Sequence, residues 1–184
     1  MAEEMIIVHN LLLRLVNSAW LQAFNVGTSS LSSPEITRNF LHYTKGIIDA
    51  IHLRHRGEEN IIFPAIERVT GVEGFMGNEV EQHRGFERGL EEFEAYLNGA
   101  LGGKEKYDGD KMRALIDGFM PVLREHLVDE VKTLLTLDRY EERVVWDAWF
   151  DGTMGEIKRH SMKGDGKVRT PTVLISWIWE SNDC

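Results

Sequence analysis

Histidines paired with glutamates at helical spacing are the residues of this sequence best suited to chemistry. Three of the seven histidines are followed four residues later by a glutamate, in the pairs His55 with Glu59, His83 with Glu87, and His126 with Glu130. Residues four apart lie on the same face of a helix, so the imidazole and carboxylate of a pair can converge on one metal ion. All three pairs lie on apolar stripes that predict buried helix faces, where an ionisable group is costly unless it is paired or metal-bound.

A fourth histidine, His9, joins this set. Leu12, Val16 and Trp20 follow it at three, seven and eleven residues, which places His9 on the buried face of the first predicted helix. Taken alone, His9 is most simply explained as a hydrogen-bonded core histidine. Because each of four helices contributes an inward histidine, metal binding is the favoured interpretation, and a purely structural bundle with buried histidines is the alternative.

The types of donor restrict the metal. Imidazole and carboxylate suit iron, manganese or zinc, and four histidines with two or three glutamates exceed the usual ligand set of one ion, so two ions are expected. The Glu-x-x-His pattern of ferritin-like centres is missing, because no histidine has a glutamate three residues before it. The only cysteine is Cys184, which excludes a cysteine-based metal site or a disulfide within the chain.

Four amphipathic helices would position these side chains. Apolar residues at intervals of three and four predict the first helix from about Glu3 to Phe24. The second helix begins at Pro34, the third at Asn78, and the fourth after a polar loop through Asp108. Four such helices joined by loops predict an all-α fold, an antiparallel up-and-down four-helix bundle over residues 1–140.

The buried stripe of the second helix decides which glutamate faces the core. Read in steps of four residues, the stripe runs through Ile47, Ile51, His55 and Glu59. This interpretation places Glu59 inward and leaves Glu58 on a solvated flank.

Residues 141–184 follow a less regular pattern and contain four of the five tryptophans. They predict a Trp-rich C-terminal extension that packs on the bundle. Within it, residues 172–179 are apolar and β-branched, and their pattern does not separate a strand from a short helix. A lid over a metal site is a second possible role for this segment.

Charge and hydropathy exclude several classes of partner. The 184 residues include 21 lysines and arginines against 30 aspartates and glutamates, for a formal charge of −9. With no basic block, neither a nucleic-acid surface nor an electrostatic membrane anchor is expected. No apolar run approaches the roughly 20 residues of a membrane span, and the first residues are acidic, so a cytoplasmic protein is expected.

The order of the motifs along the chain resembles the hemerythrin-like, or HHE cation-binding, family. The string from His55 to Pro64 is similar to the family's His-x-x-Glu-Glu segment that ends in Phe-Pro. The resemblance covers about residues 3–140 and implies a non-heme diiron centre with the four histidines as terminal ligands. Glu59 and Glu130 would bridge the two iron ions together with an oxo or hydroxo group. Manganese and mixed-metal centres share these ligand preferences.

The sequence differs from the oxygen-carrying members of that family. Their third-helix motif is His-x-x-x-His and their last is His-x-x-x-x-Asp, whereas this chain has Glu87 in place of the second histidine and Glu130 four residues after His126. Glu87 is either a ligand or a hydrogen-bond acceptor for an imidazole N–H. Both arrangements favour activation of O2 over reversible carriage, so we expect an oxidase or oxygenase acting on a small molecule. The alternative is a sensor or carrier of O2, NO or iron.

Overall fold

Helices account for most of the part of the chain that the structure describes. This structure is a computed structural model and describes residues 2–28, 33–146, 148–153 and 155. In the described part of residues 2–140, five α-helices follow one another, α1 (Ala2–Thr28), α2 (Pro34–Gly57), α3 (Phe63–Thr70), α4 (Gly77–Leu101) and α5 (Gly109–Leu135). A π-helical turn, Glu58–Ile62, joins α2 to α3, and a 3₁₀ helix, Thr136–Tyr140, follows α5. These described residues include no strand.

The four long helices form a closed bundle. α1 packs against α2 and α5, and α4 packs against the same two helices. The predicted all-α bundle is therefore confirmed. None of the helices in the described ranges is long and apolar enough to cross a membrane.

The second helix of the bundle, α2, continues into α3 past a proline, Pro64. Pro64 has no N–H to donate to the carbonyl of Asn60, and its ring would clash with that carbonyl in a regular helix. The N–H of Phe63 instead donates to the carbonyl oxygen of Glu58, five residues earlier, which closes the wider π-helical turn. The backbone keeps right-handed helical angles through this turn, so α2 and α3 form one continuous arm.

A buried polar layer divides the apolar core into two clusters. The larger cluster includes Leu12, Ile51 and Leu123, and the smaller one lies at one end of the bundle around Phe63 and Leu134. Along α1, the α2–α3 arm, α4 and α5, a buried histidine lies between residues of the two clusters. The packing of both clusters therefore holds the histidines at one level of the bundle.

The described part of the C-terminal extension packs on the smaller cluster. Trp146 and Trp149 contact this cluster, with their rings 5.5 Å apart in an edge-to-face arrangement, and Phe150 is buried. Residues 172–179 lie outside the described residues. The boundary at residue 140 stays a prediction.

Gly89 marks a close approach between α4 and α5 that permits a first test. A Cβ added there would lie 2.7 Å from the Cβ of Phe119. We expect Gly89→Ala to lower the free energy of unfolding by about 1–3 kcal/mol, because the two helices must separate. Urea denaturation measures the change.

Gly118→Ala on α5 is the matched control. A Cβ at that position meets nothing within 4 Å, and alanine is the better helix former by up to about 1 kcal/mol. Equal urea midpoints for the two variants would contradict the close approach.

Candidate metal centre

Each of the four long helices places one histidine in the buried polar layer. His9 comes from α1, His55 from α2, His83 from α4 and His126 from α5, and all four are buried. Each histidine occupies a position of the apolar stripe of its helix, so the packing that buries the stripe also buries the imidazole.

Three of these histidines form a tight cluster with one glutamate. One ligand atom from each of His55, Glu58, His83 and His126 lies within 4.8 Å of the other three. The Nε2 atoms of His83 and His126 are 3.0 Å apart, and Glu58 Oε2 lies 3.7 Å from His83 Nε2. Two imidazole nitrogens bound at right angles to one ion, each at about 2.1 Å, would also be about 3 Å apart. The cluster therefore has the spacing of ligands around a single ion.

Glu58 supplies the carboxylate of this cluster, and the structure does not bring Glu59 into it. Glu58 is 1% exposed, whereas the side chain of Glu59 is 41% exposed. Glu58 lies seven residues after the buried Ile51, so two helical turns return its side chain to within about 20° of the same direction. Glu59 is eight residues from Ile51 and is rotated away by about 80°. The expectation that Glu58 lies on a solvated flank is wrong.

Glu87 also lies outside the cluster. Its side chain is on the exposed face of α4, and the buried Phe86 takes the inward position one residue earlier. The reason is the one that applies to Glu59, since the step of four residues from His83 rotates Glu87 beyond the buried stripe.

Glu59 contacts the cluster from outside, through His83. Its Oε1 accepts a hydrogen bond from His83 Nδ1 at 2.7 Å. A proton held on Nδ1 leaves the lone pair of Nε2 directed into the cluster, and a carboxylate partner of this kind orients a metal-binding histidine. Glu59 therefore has a positioning role in this geometry.

Arg54, which the sequence analysis missed, organises the other half of the buried layer. Its Nη2 lies 2.6 Å from His9 Nε2 and donates to Glu130 Oε2 at 2.8 Å, and it forms an ion pair with Glu58. His9 Nε2 lies 2.9 Å from the same oxygen of Glu130. Ligand spacing does not reveal an arginine. The prediction of two inward carboxylates could have indicated a buried cationic side chain, because buried carboxylates require cations close to them.

Burial keeps the imidazoles of the cluster neutral. Desolvation lowers the pKa of His55 well below its usual value and the pKa of His126 to about 3. Desolvation also lowers the pKa of His83, although the Glu59 carboxylate acts in the opposite direction. All three imidazoles are therefore neutral at physiological pH, which is the form that binds a metal.

The two carboxylates that contact Arg54, Glu58 and Glu130, have opposite pKa shifts. Burial raises the pKa of Glu58 well above its usual value, and Arg54 offsets this only in part. Burial acts in the same direction on Glu130, but Arg54 and His9 outweigh it and lower the pKa of Glu130 to about 2. Glu58 is therefore the carboxylate whose charge is still poorly compensated.

The buried donor atoms fit a metal ion at the cluster. Within the described residues, His55 Nε2 and Glu58 Oε2 are buried and have no hydrogen-bond partner, and Glu58 Oε1 has only the ion pair with Arg54. Leaving a buried polar atom unsatisfied costs roughly 1–3 kcal/mol. A cation among His55, Glu58, His83 and His126 would satisfy these atoms and supply the missing positive charge.

A cleft between α2 and α4 leads from the surface to the cluster. It has a volume of about 170 Å³, with His55 and His83 at its inner end and Arg56 and Glu87 among its charged residues. The described residues of the C-terminal extension do not line this cleft, so they form no lid over it.

Comparison with known proteins supports a metal-binding domain. Residues 1–137 match the family model described as the hemerythrin HHE cation binding domain. The chain is 32% identical over 149 residues to the "Dimeric xanthone biosynthesis cluster protein R11" of Cryptosporiopsis sp. (strain 8999), which covers 81% of this chain and 54% of that protein. The chain therefore spans about half the length of this curated relative. No solved structure gave a significant match.

Three glutamine variants separate the roles of the glutamates. Glu58→Gln replaces a charged metal-binding carboxylate with a neutral amide and is expected to weaken metal binding most. Glu59→Gln weakens the hydrogen bond that orients His83, for an expected loss of about 10–100-fold in metal affinity. Glu87→Gln changes an exposed side chain and serves as the control with unchanged affinity. Competition with a chromophoric chelator measures all three affinities.

A smaller loss in Glu58→Gln than in Glu59→Gln or Glu87→Gln would contradict this arrangement. In that case the glutamates four residues after His55 and His83 would be the metal ligands.

Proposed function

The chain belongs to the hemerythrin HHE cation binding domain family, and we propose that it is a non-heme iron protein that reacts with O2 as an oxidase or oxygenase of a small molecule. The observation that carries this proposal is the buried cluster of His55, Glu58, His83 and His126 at the inner end of a cleft. Neutral imidazoles with one carboxylate are a donor set that suits iron and leaves room for further ligands.

The number of donors supports a reactive centre over a closed structural one. Three imidazoles and one carboxylate fill about four or five of the six positions of an octahedral ion, which leaves about one or two positions open. Manganese shares these ligand preferences, and the resemblance to a diiron family favours iron. When bound, iron supplies the electron-transfer chemistry with O2 that these side chains lack.

The neighbouring side chains prepare the cluster for this chemistry. The Phe86 ring centroid lies 4.9 Å from that of His55, and the Phe63 ring centroid lies 5.7 Å from that of His83. These apolar rings exclude water, which strengthens the electrostatic interactions inside the cluster. Glu59 holds the orientation of His83 from the side of the cleft.

The cleft and the relative support a small-molecule substrate. The cleft is smaller than the roughly 300–1,000 Å³ of pockets that enclose a drug-sized ligand, so it accommodates O2, NO or the reacting end of an organic molecule. The similar Cryptosporiopsis protein is named for a dimeric xanthone biosynthesis cluster, which favours small-molecule biosynthesis over oxygen transport. We retain the cytoplasm as the proposed compartment, because the only cysteine is Cys184 and no disulfide can form within the chain.

The reaction with O2 tests the proposal. We expect the anaerobically prepared ferrous protein to consume O2 irreversibly in an oxygen-electrode measurement, because two of the residues that would hold the ion, His55 and His83, line a cleft that leads to the surface. His126→Ala should lose this consumption together with the metal, since His126 is a fully buried member of the cluster. Glu87→Gln should retain it.

An adduct that returns intact O2 under vacuum would contradict an oxidase or oxygenase. That result would favour the alternative function, a sensor or carrier of O2 or NO.

A further inference from the structure

We propose that the guanidinium of Arg54 takes the place of a second metal ion, so that the centre of this chain holds a single ion. This inference rests on the proposed function, because it concerns the number of ions at the same site. It departs from the two ions that the sequence and the family resemblance imply.

The contacts of Arg54 are those that a second ion would make. His9 and Glu130 are the predicted ligands that lie outside the four-residue cluster, and both contact Arg54 Nη2, at 2.6 and 2.8 Å. The same nitrogen also pairs with Glu58, the carboxylate of the cluster. The guanidinium of Arg54 therefore contacts both Glu58 and Glu130 as well as His9.

The charge balance of the buried layer favours one ion. Glu58 and Glu130 bring two negative charges, and Arg54 brings one positive charge that is not lost at any physiological pH. Counted over these three side chains, which contact one another, one divalent ion leaves a single excess positive charge and two divalent ions would leave three. An uncompensated charge in a protein interior is costly, so the second ion is disfavoured while Arg54 is present.

Packing keeps the guanidinium in this position. The side chain of Arg54 is 10% exposed, and its two terminal nitrogens lie 3.5 and 3.4 Å from the sulfur of the buried Met5. A second ion between His9 and Glu130 would have to displace the guanidinium from His9, Glu130 and Met5 together.

Metal stoichiometry tests the inference on the full chain. The protein is loaded anaerobically with excess ferrous iron, desalted, and analysed for iron and for protein. We expect about one ion per chain in the wild type, and about two in Arg54→Gln, where a neutral side chain no longer competes for His9 and Glu130. Arg38→Gln removes the same charge from an exposed position on the same helix that does not line the cleft, and it is the matched control, with about one ion.

A spectroscopic measurement provides a second readout. After oxidation, the wild type should show the EPR signal of isolated high-spin ferric iron. A second iron in Arg54→Gln should weaken that signal, because the spins of two bridged ferric ions cancel.

The outcomes separate this inference from the proposed function. Two ions in the wild type would overturn the role of Arg54 and leave the iron protein in place, whereas no bound iron would overturn both. One ion in the wild type and in a folded Arg54→Gln would overturn the assignment of Arg54. If Arg54→Gln does not fold, the number of iron ions per wild-type chain and the EPR signal of the wild type still test the inference.

Discussion

The burial of four imidazoles and two carboxylates at one level of a helical bundle is the constraint on which the rest of the structure depends. A carboxylate inside a protein is costly unless a cation faces it. Glu130 has Arg54 and His9 beside it. Glu58 faces three neutral imidazoles across the layer and retains a raised pKa, with only part of its charge offset by Arg54. This imbalance favours a cation on the Glu58 side of the layer, whereas Glu130 already has Arg54 and His9 as partners.

The same layer connects metal binding to the stability of the fold. The cluster draws ligands from α2, α4 and α5 and from the π-helical turn after α2, so an ion bound there would join three of the four arms of the bundle. Arg54 joins α2 to α1 and α5 through His9 and Glu130. Any ion that binds only the folded chain stabilises it in proportion to the logarithm of its concentration. The apolar clusters on both sides of the layer hold the ligands in place before metal binds.

Sequence periodicity predicted the four-helix bundle and the inward direction of all four histidines, because apolar stripes report directly on which helix face is buried. The step of four residues placed Glu130 inward correctly but failed at Glu59 and Glu87, because on those two helices the buried stripe continues through the residue three positions after the histidine, Glu58 or Phe86. Counting seven residues from a core position would have selected Glu58. Arg54 could not be predicted in this way, since its position depends on contacts with two other helices that local spacing does not encode. The cleft between α2 and α4 arises from tertiary packing and has no sequence signature.

An anomalous difference map at the iron edge, from crystals of the iron-loaded chain, tests the central claim most directly. The account predicts one strong peak within bonding distance of the imidazoles of His55, His83 and His126 and of the Glu58 carboxylate, with the Arg54 guanidinium still paired to Glu130. A peak bound by Glu59 in place of Glu58, or no peak inside the bundle, would contradict it.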